Sequence, residues 1–191
     1  MKILLIGDSL TYGYGVDHDK SWAYLLSKNK SIDIINKGIN GDTTAGMLFR
    51  AYEDISSNLS CFTVIMGGSN DILSDLSYNY VKDNIILIIE EAQSLGSEPI
   101  LAIQPPVVPI MAERLWSSGV NYYKVNEEIK AYRNEILSYA IDNRIKYIDF
   151  FTPFHRLLEE DKAINYYLDG LHLNSKGNQL LYDLASKIIF S

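Results

Sequence analysis

The chain has 191 residues, of which 47% are hydrophobic, and a formal net charge of −7. That size and apolar content suit one compact domain, expected to run over residues 1–191. Lys and Arg are scattered rather than clustered, which argues against a nucleic-acid partner, because phosphate binding needs concentrated positive charge.

The chain opens MKILLIGDSLTYGYG. Residues 2–7 predict a strand. The apolar run is too short for a secretory leader, and Gly-Asp interrupts it. Ser9 falls just past the end of this strand, where its bland role would be a helix N-cap or a turn residue. Trp22, Leu25 and Leu26 begin a helix. Residues 31–36 predict a second strand, followed by NKGINGDTT. There Gly41 is expected in a loop, with Asp42, Thr43 and Thr44 as caps for the next helix. Leu48, Tyr52, Ile55 and Leu59 read as that helix's apolar face.

Residues 62–67 predict a third strand. Cys61, the single cysteine, is expected in the core and has no partner for an internal disulfide. The strand runs into GGSND, where Asn70 is a candidate side-chain donor and Asp71 a turn or capping residue. A stripe of Val81, Ile85, Ile88, Ile89, Ala92 and Leu95 predicts a long helix. Residues 99–104 predict the fourth strand.

Segment 104–124 is the least sheet-like part of the chain, since three prolines stop regular structure early. Met111 and Trp116 are its candidate pocket residues, against the alternative that the segment only packs on its neighbours. A helix with Val125, Ile129, Tyr132 and Ile136 on one face follows. Residues 144–150 predict the fifth strand. His155 comes after it, a secondary candidate for a base. Near the end stands YYLDGLHLNSKG, then a helix carrying Leu181, Leu184, Ala185 and Ile188.

Strands alternating with helices imply a parallel sheet with right-handed crossovers, hence a three-layer α/β/α sandwich. Ligands in such folds bind beyond the carboxyl ends of the strands. Ser9, Gly41 and Asn70 all follow predicted strands, so topology should gather them. A serine hydroxyl attacks only when a base takes its proton. Of His18, His155 and His172, His18 sits in the polar DHDK loop and reads as solvated, whereas His172 has Asp169 three residues before it in a loop-like stretch just ahead of the last helix. That carboxylate would hold the imidazole tautomer. The N–H of Ser9, the N–H of Gly41 and the amide of Asn70 are candidate donors to an oxyanion.

GDSLTYG, Gly41 in NGDT, GSND and DGLH resemble, in order, the four signature blocks of the SGNH (GDSL) hydrolase superfamily. The resemblance implies a flavodoxin-like sheet of five parallel strands in the order 2-1-3-4-5. It also implies metal-free, cofactor-free hydrolysis of esters or thioesters, with Ser9, Asp169 and His172 as the catalytic triad and Ser9, Gly41 and Asn70 as the oxyanion hole. In size the chain is similar to the bacterial lysophospholipase L1-like esterases. The G-x-S-x-G elbow of another serine-hydrolase fold is absent, since Thr11 replaces its second glycine.

The expected partner is a small-molecule ester, without membrane insertion and in the cytoplasm. No pattern declares an oligomeric state. Two readings stay open at this point. One keeps the triad in an acyltransferase or a carbohydrate O-deacetylase. The other is a non-catalytic flavodoxin-like binding module, in which DGLH would have no role.

Overall fold

The structure, a computed structural model, describes residues 1–190; residue 191 of the expected domain lies outside them. Five strands form one sheet: β1 (Lys2–Gly7), β2 (Asp33–Gly38), β3 (Phe62–Met66), β4 (Glu98–Ile103) and β5 (Lys146–Asp149). Their order is β2-β1-β3-β4-β5, and every pairing is parallel. The helices, in chain order, are α1 (Ser9–Tyr12), α2 (Trp22–Ser27), α3 (Thr44–Ser56), α4 (Ser69–Leu73), α5 (Tyr78–Ser94), α6 (Pro109–Leu115), α7 (Tyr122–Asp142), α8 (Phe151–Glu159) and α9 (Ser175–Ile189).

Alternate strand residues point to opposite faces, and the two faces carry separate cores. Leu4, Ile6, Ile65, Leu101 and Ile103 pack with α3, α5 and α7. Ile3, Leu5, Val64, Met66, Ile100 and Ala102 pack with α2, α8 and α9. Covering on both sides explains why the central strands read as unbroken apolar runs. β2 and β5 are edge strands and are only partly buried.

Four local expectations are corrected. β2 begins two residues later than predicted, because Ile32 closes a turn onto Asn29 and pairing with β1 sets the register from Lys2↔Asp33 to Gly7↔Gly38. The face of α3 is Thr44, Met47, Ala51 and Ile55. Tyr52 and Leu59 are exposed, since the smaller Thr44 and Ala51 let the helix approach its neighbours and Leu59 lies beyond its end. Cys61 is exposed rather than core; it sits in the turn before β3, with its backbone bonded to Lys2 and Glu98. Segment 104–124 is not all loop, for α6 forms within it with Pro109 in its first turn, a position where proline loses no helical bond.

Candidate active site

The carboxyl ends of β1, β2 and β3 deliver the first three groups. β1 turns at Gly7 directly into α1. Asp8 caps that short helix, its Oδ1 accepting from the Leu10 N–H at 2.9 Å. Ser9 is therefore the first helical residue, with its backbone N–H at the free N-terminal end. The helix is pinned from two sides. The buried Trp22 donates Nε1–H to the Leu10 carbonyl at 2.9 Å, and Asn36 Nδ2 donates to the Thr11 carbonyl at 2.9 Å.

After β2 the chain bends through Gly41, whose φ of +76° lies in the left-handed region that glycine adopts without strain. Neither the Ser9 N–H nor the Gly41 N–H meets a protein acceptor among the described residues. Asn70 stands in the first turn of α4, and its Nδ2 donates to the Asp42 carbonyl at 2.8 Å. Asp71, fully buried, accepts from the Thr44 N–H at 2.9 Å and the Thr44 hydroxyl at 2.8 Å. It caps α3 from a different segment, so the Gly41 loop and α4 are tied together. Of the three residues expected to cap α3, Thr43 does so through its own side chain.

The DGLH turn supplies the rest. Gly170, with φ at +93°, lies against α6; a Cβ there would come within 2.5 Å of the Ala112 nitrogen. Asp169 Oδ1 accepts from the backbone N–H groups of Leu171 and His172 at 2.9 and 2.7 Å, and Oδ2 faces His172 Nδ1 at 2.8 Å. On the other side of the ring, His172 Nε2 is 3.0 Å from Ser9 Oγ.

Electrostatics assign the protons. Burial opposes the charge on Asp169. Hydrogen bonds from the His172 ring, the His172 backbone, the Trp116 indole and the Leu171 N–H outweigh it, so the carboxyl stays well below the usual carboxylate range. An ionised carboxylate only accepts, so Nδ1 carries a proton toward Asp169, and in the neutral ring this leaves Nε2 as the acceptor that faces the serine hydroxyl. Asp8 goes the other way. Burial pushes its carboxyl up to about 6, with the Leu10 N–H and the His172 charge pulling it down and Asp42 and Asp71 adding to the rise.

Ser9, Gly41, Asn70 and His172 line one cleft of about 440 Å³. Its apolar wall includes Leu73, Pro105, Val107, Val120 and Leu171. Another hollow of about 490 Å³, between Asp75 and Glu128, is slightly larger but is lined by no histidine. Size alone does not mark the site.

Trp116 lies in the cleft, its ring 5.5 Å from that of His172. Met111 is a correction. It faces a separate hollow of about 320 Å³ with Leu158 and Ile164, because it lies within α6 whereas Trp116 follows the last helical residue, Leu115, where the backbone leaves the helix. Tyr14 was not singled out by sequence reasoning. Its ring packs 4.4 Å from His172, and its place in the glycine-rich GYG after the serine was the available signal. His155 is remote from the cleft, on α8 and stacked on Phe151. Among the described residues no cluster of His, Cys, Asp and Glu is arranged to hold a metal ion. No described helix is long and apolar enough to cross a membrane.

A sequence model of the GDSL-like lipase/acylhydrolase family matches residues 5–180. Esterase TesA of Pseudomonas aeruginosa is 29% identical over 110 residues, 54% of this chain and 55% of that one. An arylesterase of Vibrio mimicus is 29% identical over 105 residues, 52% of each. The chain thus spans about half the length of these two relatives. A crystal structure of a member of the lipolytic protein G-D-S-L family from Veillonella parvula superposes with a TM-score of 0.82 at 22% identity, covering 100% of this chain and 98% of that one.

Proposed function

The chain belongs to the GDSL-like lipase/acylhydrolase family, and from that membership we propose that it hydrolyses carboxylic or thio esters through an acyl-enzyme on Ser9. The observation that carries this reading is the unbroken line Ser9–His172–Asp169, at 3.0 and 2.8 Å.

His172 Nε2 takes the hydroxyl proton as Ser9 Oγ attacks the ester carbonyl. Asp169, held ionised, fixes the ring and offsets the imidazolium charge. Negative charge grows on the carbonyl oxygen, and the N–H groups of Ser9 and Gly41 with Asn70 Nδ2 are the donors for it. Asn70 spends one amide hydrogen on Asp42 and keeps the second for substrate. His172 returns its proton to the leaving alcohol or thiol, and water repeats the sequence on the acyl-enzyme. The apolar wall of the cleft suits a hydrocarbon acyl group. The mechanism needs a neutral imidazole, so turnover falls on acidification. A reducing, cytoplasmic location belongs to the same proposal and is consistent with the free Cys61 thiol.

Labelling with a fluorophosphonate, alongside turnover of aryl esters of graded acyl length, tests the reading. Wild type is expected to label once and to turn over esters, and Ser9→Ala to do neither while keeping its fold. Equal turnover by Ser9→Ala and wild type sinks the nucleophile role.

A further inference from the structure

Arg50 lies on α3 and lines no part of the cleft. Its guanidinium is largely buried, with the side chain 16% exposed. Nε donates to Asp42 Oδ2 at 2.9 Å, Nη2 to the Gly7 carbonyl at 3.1 Å, and Nη1 to the Asp54 carboxylate. Lys37 joins Asp54 at 3.2 Å, so two cations face two carboxylates and the network is neutral.

Its reach is what matters. Gly7 stands two residues before Ser9. Asp42 follows Gly41. The Asp42 carbonyl accepts the Asn70 amide at 2.8 Å. The Gly7 carbonyl that Arg50 holds also accepts the Ile39 N–H at 3.0 Å, at the base of the Gly41 loop. One guanidinium therefore holds a residue within two positions of Ser9 and a residue that adjoins Gly41 and accepts from Asn70. α3 leaves room for the arrangement: a Cβ on Gly46 would lie 2.0 Å from Asp42 Oδ1. A planar fork can bond a carbonyl and a carboxylate at fixed angles, which the point charge of a lysine cannot.

We propose that Arg50 is a positioning residue for the oxyanion donors, clamping the Gly7 carbonyl to Asp42 and so setting the spacing of Ser9, Gly41 and Asn70. This rests on the acyl-transfer reading above. A clamp of this kind acts on the charge that develops during reaction more than on substrate binding.

The test compares wild type, Arg50→Lys, Arg50→Ala and Asp54→Asn on one aryl ester, with fluorophosphonate labelling rates, melting temperatures and amide hydrogen exchange over residues 39–46. Arg50→Lys is expected to lower kcat about 10- to 100-fold and to leave KM within about 2-fold. It should slow labelling in parallel and speed exchange in the loop. Asp54→Asn, which takes the charge from Arg50's partner on its own helix and touches no oxyanion donor, lowers the melting temperature because the pair is largely buried, yet loses no more than about 3-fold in kcat. Millimolar guanidinium restores part of kcat to Arg50→Ala; should that variant not fold, Arg50→Lys decides. Wild-type kcat in Arg50→Lys overturns the clamp, as do equal losses in Arg50→Lys and Asp54→Asn in step with melting temperature. A wild type that neither labels nor turns over esters sinks the esterase reading instead; the exchange data then judge the clamp, and unchanged exchange overturns it.

Discussion

Among the described residues two histidines pair through a ring nitrogen with a carboxylate, and only one of the two regions has the makings of a reaction centre. On α8, His155 Nδ1 lies 3.5 Å from Glu159 Oε1, one helical turn away, with the glutamate side chain 64% exposed. In the DGLH turn, His172 Nδ1 lies 2.8 Å from Asp169. That carboxylate is itself held by two backbone N–H groups and an indole. On α8 the contact is longer and its glutamate is mostly in water, so the pair is worth little and free to part. The part-buried pair is fixed by the backbone, and its imidazole is packed against Tyr14 and Trp116 with a hydroxyl on its far nitrogen. An acid beside a histidine is common. What makes a base is rigidity on one side of the ring and a proton to take on the other.

The hardest way to break this contrast is to remove each ring. His172→Ala is expected to lower kcat about 10⁶-fold, while His155→Ala keeps kcat/KM within about 2-fold; steady-state ester hydrolysis reads both. Removing each carboxylate is next. Asp169→Asn leaves the shape but reverses the preferred tautomer, for a loss of about 10⁴-fold in kcat, and Glu159→Gln changes nothing measurable. The low pKa of Asp169 fixes a pH sign as well. Its contribution to stability is complete above the ordinary carboxylate range and is lost as pH falls through the depressed folded value. An acid limb in the rate near neutrality therefore does not come from Asp169.

Trp116→Phe sharpens the comparison by keeping the ring and deleting the indole N–H on Asp169. The expected cost is about 5-fold in kcat, with the pH profile measured alongside. The smallest effect on rate belongs to Asp8, a buried carboxylate with no counterpart near His155. Folding raises its pKa to about 6 from 3.8. The folded state thus holds that proton more tightly, and the advantage is full below the unfolded value and gone above the folded one. Asp8→Asn should gain stability relative to wild type between about pH 4 and pH 7, by at most about 3 kcal/mol. Melting temperatures of both proteins across that range check it. A difference that shrinks with rising pH contradicts the buried-charge account.

Several features were legible because they are local. The apolar runs of β1, β3 and β4 announce strands covered on both faces, and the four-three spacing of Val81, Ile85, Ile88 and Ala92 announces α5. Ser9, Gly41, Asn70, Asp169 and His172 stood out because each follows a strand end or precedes a helix in a polar, glycine-bearing stretch. Met111 and Trp116 were indistinguishable in sequence, both large apolar residues in a proline-rich segment. Only the end of α6, which holds Met111 inside the helix and leaves Trp116 just beyond it, sends one to a separate hollow and the other to the cleft. The face of α3 was misread because Tyr52 and Leu59 look like better core residues than Ala51. Close packing of α3 on α5 favours the smaller side chain, and that preference depends on a neighbour.

By itself, then, the sequence determined the alternation of strands and helices, the parallel sheet and the identity of the polar groups at its edge, because those follow from periodicity and turn chemistry along the chain. Tertiary structure alone decided which groups meet. The 3.0 Å approach of His172 to Ser9 spans 163 residues, and the Arg50 tie from Gly7 to Asp42 spans 43 on one side. Such contacts depend on strand order and on how loops lean against helices, and no spacing along the chain encodes a distance through space.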